Sequence, residues 1–286
     1  SYKAYGGKED KKVIELLVFL EIFHLFCLIH DDIMDKSEKR HGTETIHNFA
    51  KSTVRKNNIA SAHFGNSTAI LLGDFMLSWS YEILLLKTGN KELISIFSKM
   101  IDEVITGQFM DINLVNKKSV SEKVILQKNY LKTSSYSFIR PMMIGASLTT
   151  ADINEKFIKQ FGAKLGTAFQ TQDDLFDIIY DPSQIFKSAL NDITDRKHTI
   201  FTNFVLKNGT KKQRDTLVNY FGKKIEKQDK EKLRNIFRDS GAIKYGESLI
   251  RKNIDGANRL LEKSGFDDKY KTLFQELINL IDKRKS

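Results

Sequence analysis

The chain has 286 residues, a net charge of +10, 41% hydrophobic residues, 2 prolines and a single cysteine, Cys27. That length and apolar share allow one large domain or two small ones. One cysteine excludes a disulfide framework and suits a reducing interior, while scarce strand-like alternation argues against a sheet-built fold. Helical periodicity predicts elements over 13–29, 67–87, 91–112, 121–149, 154–180 and 197–206. Polar breaks fall at 113–123, 148–156 and 180–198, and no repeat period points to a solenoid. The expectation is an all-α chain, with residues 1–286 forming a single domain. No signal peptide and no apolar run of about 18–20 residues stand out, so no transmembrane segment is expected and a cytoplasmic location follows. The positive excess lies in residues 201–286, which hold 21 Lys and Arg against 12 Asp and Glu. Those charges are interspersed at helical spacing, as on a solvated surface, and no base-reading motif accompanies them, so no nucleic-acid partner is expected.

The first helix is an apolar run, LLVFLEIFHLFCLI, that ends in HDDIMD. Asp31 and Asp35 lie one turn apart on the same helical face, with Asp32 beside them. Like charges at that spacing cost a few tenths of a kcal/mol and call for a compensating cation. The pattern recurs in FQTQDDLFDIIYD, where Asp173, Asp174 and Asp177 repeat the arrangement. Two such sets facing one another would offer hard oxygen ligands to Mg2+, an ion that commonly bridges a few carboxylates to substrate phosphates. Cations suited to the same anion stand nearby in sequence: Arg40, Lys132 next to Thr133, and Lys187 and Lys197 on the 180–198 connection. That long connection has the character of a loop able to close over a ligand.

HLFCLIHDDIMDKSEKRHGTETIH and GTAFQTQDDLFD resemble the two aspartate-rich motifs of the trans-isoprenyl diphosphate synthases, the polyprenyl synthetases. AILLGDFML, GQFMDI, YLKTSSY and FKSALNDITDRKHT are similar to further motifs of that family, in the same order, and the likeness covers roughly residues 10–205. The resemblance implies an isoprenoid synthase fold, a large antiparallel helix bundle around a central cavity. It implies a prenyltransferase that ionises an allylic diphosphate (dimethylallyl, geranyl or farnesyl), joins the cation to isopentenyl diphosphate and eliminates a proton. Asp31, Asp32, Asp35, Asp173, Asp174 and Asp177 would hold up to three Mg2+ ions, with Mn2+ as the alternative. Arg40, His41, Lys132, Thr133, Gln170, Lys187 and Lys197 match positions that hold diphosphate, and His24 matches one that meets isopentenyl diphosphate. Asp31, Asp35, Asp173, Lys132 and Lys197 would carry the catalytic burden. Family members are mostly homodimers.

Phe26 and Phe23 lie five and eight residues before Asp31, about 7.5 and 12 Å down the helix axis. By resemblance, an aromatic residue five positions upstream makes a floor that stops the product at geranylgeranyl (C20) length. Farnesyl or longer products, or a non-catalytic regulatory subunit of a heteromeric synthase, are the alternatives. Two departures from the family pattern stand out. The upstream Gly-Gly-Lys-Arg segment is not matched by YGGKEDKK, so the chain is expected to lack that segment, and the family's second arginine is here His41. An HD-type phosphohydrolase would need further spaced histidines, and a terpene cyclase an Asn/Ser/Glu triad where Asp173, Asp174 and Asp177 stand.

Overall fold

The computed structural model describes residues 1–8, 11–40, 42–54, 59–180 and 189–283. It is 77% helical, which meets the all-α expectation. Among the described residues the strands amount to one hairpin, β1 (Lys39–Arg40) against β2 (Thr43–Glu44), antiparallel with Arg40 opposite Thr43. The contacts divide the chain into two compact units, one reaching up to Ile94, the other built from the first eight residues and from Ser95 onward.

In the first unit α1 (Lys11–Met34) packs on α3 (Ile59–Lys87), and α2 (Ile46–Ser52) joins them. The buried stripe of α1 is Leu16, Phe19, Phe23, Phe26 and Ile29, and it runs on into Asp32. Opposite, α3 buries Ser61, Gly65, Ala69 and Gly73, small residues every fourth position. Large rings on one helix thus meet a shallow seam on the other, the ridge-and-groove condition for close packing. At Gly73 the fit is tight enough that a Cβ would strike the His30 imidazole.

These helices bear on one sequence expectation, that no apolar run reaches bilayer length. By length and composition both α1, at 24 residues, and α3, at 29, could cross a membrane. Glu15, Glu21 and His24 interrupt the α1 run without lowering its overall apolarity enough to exclude it. Phe23 and Phe26 are buried here and touch each other, ring centroids 5.5 Å apart.

The second unit is laid down along α4 (Lys91–Leu114), α5 (Glu122–Asn129), a π-helical segment (Tyr130–Ile139) and α6 (Arg140–Ser147). There follow α7 (Glu155–Ile179), α8 (Asn191–Thr194), α9 (Ile200–Asn208), α10 (Lys211–Tyr220), α11 (Lys227–Asp239), α12 (Ala242–Glu262) and α13 (Asp268–Asp282). The predicted 121–149 helix is therefore one helical path whose middle is widened to π geometry. Its α7 neighbour starts cleanly because Asn154 Oδ1 accepts from the Phe157 amide at 2.9 Å. α12 lies along α7, and rings of Phe157, Phe161, Phe266 and Phe274 interlock at centroid distances of 5.1–5.7 Å. α7 is thereby held firmly by its N-terminal half, which fixes where its acidic C-terminal half projects.

Candidate active site

The acidic end of α7 sits in a polar cluster drawn from five neighbouring stretches of the second unit. Gln170 Nε2 donates to Asp174 Oδ1 at 2.8 Å, and Gln170 Oε1 accepts from Thr133 Oγ1 at 2.6 Å. A hydrogen-bonded chain thus runs from the π segment to the second aspartate of the motif. Asp177 takes a different part: its two oxygens accept the backbone N–H groups of Asn191 (2.9 Å) and Asp192 (3.0 Å). That pins the start of α8 beneath the motif and brings the Asp192 carboxyl beside it. The turn is bought with strain, since Leu190 and Arg196 on either side of α8 have φ of 66° and 57°. Backbone held in the left-handed region by side chains with a Cβ is a feature of sites where position matters more than local comfort.

Lys132, next to Thr133, donates to Asp111 Oδ2 at 2.8 Å, and the buried Lys128 donates to Asp111 Oδ1 at 2.9 Å. α4 approaches the π segment closely here, for a Cβ on Gly107 would lie 2.7 Å from the Lys132 Cα. π-helical turns inside α-helices recur at functional sites because they re-aim side chains that a regular helix would direct elsewhere.

The electrostatics of this cluster are uneven. Burial would raise the Asp111 carboxyl, but Lys128, Lys132 and Lys197 outweigh it and hold Asp111 well below the usual carboxylate range. Asp174 is pushed up to about 8 by burial and by Asp192, against the pull of Lys128 and Gln170. Asp177 is raised by burial and by Asp192, and Asp192 goes up to about 6 through burial despite Lys197 and Lys128. Carboxyls crowded in this way are short of positive charge. Asp174 Oδ2 is also buried without a hydrogen-bond partner among the described residues. Hard oxygen donors, one of them orphaned, fit a divalent cation such as Mg2+. No three such side chains form a ready-made cage among the described residues, as suits an ion that keeps waters and shares substrate oxygens.

The first unit carries the other acidic set at the C-terminal end of α1. Arg40 is turned back over it by the β1–β2 hairpin: its Nε donates to Asp32 Oδ1 at 3.0 Å and its Nη2 to Asp32 Oδ1 at 2.7 Å and Asp31 Oδ2 at 3.4 Å. Asp32 is 6% exposed, so its chief bond here is to arginine, whereas Asp31 and Asp35 are only partly buried. Lys36, directly after the set, has φ of 52°. His30 faces α3, its Nε2 donating to the Ile70 carbonyl at 3.2 Å.

Within each unit, then, the expected residues gather: Asp31, Asp32, Asp35 and Arg40 in one; Lys132, Thr133, Gln170, Asp173, Asp174, Asp177 and Lys197 in the other. His24 lies within α1, two turns before the acidic set. His41 and Lys187 lie outside the described residues. Sequence reasoning passed over Asp111, Lys128 and Asp192. Asp111 stands in GQFMDI and Asp192 five residues before Lys197, so both lay inside stretches that resemble family motifs. Lys128 gave no signal beyond its i, i+4 relation to Lys132.

Comparison with known proteins gives the family. The family described as Polyprenyl synthetase matches residues 1–239. A geranylgeranyl diphosphate synthase of Saccharolobus solfataricus is 30% identical over 256 residues, 87% of this chain and 73% of the relative. A geranylfarnesyl diphosphate synthase of Aeropyrum pernix is 26% identical over 291 residues, 98% of this chain and 85% of the relative. Among solved structures, a geranylgeranyl pyrophosphate synthase of Corynebacterium glutamicum, complexed with isoprenyl diphosphate and magnesium, superposes with a TM-score of 0.92. It shares 26% identity, over 99% of this chain and 84% of that one.

Proposed function

Because the chain belongs to the polyprenyl synthetase family and is a trans-prenyltransferase, we propose that it extends an allylic diphosphate with isopentenyl diphosphate to a geranylgeranyl (C20) product. The observation that carries the reading is the Thr133–Gln170–Asp174 chain beside the Asp111–Lys132 pair. It gathers cationic, hydroxyl and amide side chains beside acidic ones, which supports the reading.

In this reading Asp31, Asp35, Asp173, Asp174 and Asp177 hold up to three Mg2+ ions, and Asp32 acts mainly by fixing Arg40. Bound there, Mg2+ supplies Lewis-acid neutralisation of the departing diphosphate. Lys132, Lys197 and Arg40 bring positive charge to the same oxygens, and it counts for more as the C–O bond breaks and charge develops on the leaving group. Thr133 and Gln170 orient the diphosphate by hydrogen bonding. The double bond of isopentenyl diphosphate, positioned with the help of His24, attacks the allylic cation, and a proton is then lost.

Product length is read from the floor made by Phe26 and Phe23, both buried on α1. Incubation with Mg2+, labelled isopentenyl diphosphate and dimethylallyl, geranyl or farnesyl diphosphate, followed by chromatography, should give C20 from every primer. A main product of another length overturns the length assignment, and no product from any primer overturns the synthase reading. Phe26→Ala should shift the products beyond C20, and an unchanged product pattern would remove Phe26 from that role.

We further propose a homodimer. α3 exposes Phe64, Leu71, Phe75, Trp79 and Leu86, between 47% and 77% accessible, at roughly heptad spacing. Such a stripe on a soluble chain asks for cover, and Phe75 already stacks on Trp79 with centroids 6.0 Å apart. Light scattering should report twice the chain mass, and Trp79→Glu should halve it. A monomeric wild type that floats with phosphatidylcholine vesicles would instead assign the stripe to a membrane.

A further inference from the structure

Lys128 and Lys132 lie one turn apart on the same helical path, an arrangement in which like charges repel. One of the two is buried, and burying an ammonium is costly unless it is paired. Both costs are met by a single group: Asp111 gives Oδ1 to Lys128 at 2.9 Å and Oδ2 to Lys132 at 2.8 Å. The side chains of Lys128 and Asp111 are 8% and 9% exposed, that of Lys132 22%. Asp111 itself lies one turn beyond Gly107, on the α4 face that presses against the Lys132 backbone. The backbone and the ammonium of Lys132 are therefore both held from the same helix.

The charges explain why two lysines are needed. Asp111 alone with Lys132 would make a neutral pair, with little attraction left for an anion. With Lys128 as well, the group carries a net charge of +1, and the more exposed Lys132 presents it.

We propose that Asp111 is a positioning residue for prenyl transfer, its carboxylate divided between Lys128 and Lys132 so that Lys132 meets the allylic diphosphate in one fixed pose with its charge undiminished. The proposal rests on the reading above, in which Lys132 touches that diphosphate.

Three variants test it by steady-state kinetics against both substrates. Asp111→Asn with Lys128→Met removes one charge of each sign, so the local net charge is kept and no lone buried ion is left; the anchor is lost, together with the pull of Lys128 on Asp174 and Asp192. The double variant should fold, and its kcat should fall about 30-fold, within the range that a misplacement of about 1 Å costs. KM for isopentenyl diphosphate should stay within about twofold, because that substrate's binding is not made by Lys132. Lys132→Gln should lose at least as much, and adding it to the double variant should bring less than about a threefold further loss, since groups acting through one another are not additive. Multiplying losses, equal changes in both KM values, or a fully active double variant would each overturn the positioning role while leaving Lys132 on the diphosphate. Wild-type kinetics in Lys132→Gln would overturn both.

Discussion

Replacing Asp173 or Asp31 by alanine should lower kcat by about 1,000-fold or more, in line with losing a main source of leaving-group stabilisation. The folded protein should persist. Asp31 and Asp35 repel across one helical turn, so removing one relieves the helix slightly, and Arg40 keeps its closest partner in Asp32. Asp173 is only partly buried. The companion variant Asp174→Asn makes a sharper case, because in the metal-free protein it should raise the melting temperature while destroying activity. Its carboxyl is pushed up to about 8, so the stability it contributes is complete below the ordinary carboxylate range and is lost as pH climbs through about 8. In Asp174→Asn that part of the decline between the ordinary carboxylate range and about pH 8 should vanish, measured by thermal melts in chelator. A carboxylate whose removal stabilises the fold and stops the reaction is kept for chemistry, the usual trade of stability against function. An active Asp173→Ala enzyme, or an Asp174→Asn protein that melts lower at every pH, would contradict this.

The second large effect concerns stability. Arg140, at the start of α6, forms a paired ion bridge with Glu103 of α4: its Nε donates to Glu103 Oε2 at 2.8 Å and its Nη2 to Oε1, while Ser135 donates to Oε2. The side chains are 12% and 22% exposed. Breaking such a pair by removing one partner leaves a buried charge unmatched, so Arg140→Met should cost about 3 kcal/mol. On a chain of this size that is a fall in melting temperature of roughly 5–10 °C. The pH dependence gives a second check. Burial would raise Glu103, but the bonds from Arg140 and Ser135 outweigh it and depress its carboxyl. A depressed carboxyl contributes stability at neutral pH that is lost as pH falls through its folded value. Without Arg140 burial should win, Glu103 should take up a proton sooner, and the gap between variant and wild type should narrow on acidification. A constant gap from neutral to acid pH would show that the pair does not set the stability.

The long helices were legible because their apolar residues recur at helical spacing. Leu16, Phe19, Phe23 and Phe26 of α1 lie on one buried stripe, and the same logic found α4 and α7. The widening at Tyr130–Ile139 left no trace, since a π turn changes backbone bonding while leaving the apolar periodicity of the sequence nearly intact. The bilayer length of α1 and α3 is harder to see in the sequence, because Glu15 and Glu21 in α1 and Asp74 and Glu82 in α3 interrupt their apolar runs. The two aspartate sets could be picked out by their spacing, whereas the likeness to a family rested on several motifs standing in the family's order. Asp111 could not, because its partners stand 17 and 21 residues away and meet it only once α4 lies against the path carrying Lys128 and Lys132. Nor could Asp192, whose place depends on a strained turn at Leu190 and on two backbone bonds to Asp177.

The most direct test is a crystal grown with Mn2+ and inorganic diphosphate, read by anomalous scattering. The expected map shows manganese at each acidic set, with oxygen ligands from Asp31 or Asp35 at one and from Asp173 at the other, and the Lys132 ammonium on diphosphate oxygens. Manganese confined to one of the two acidic sets, or a diphosphate held by neither, would contradict it.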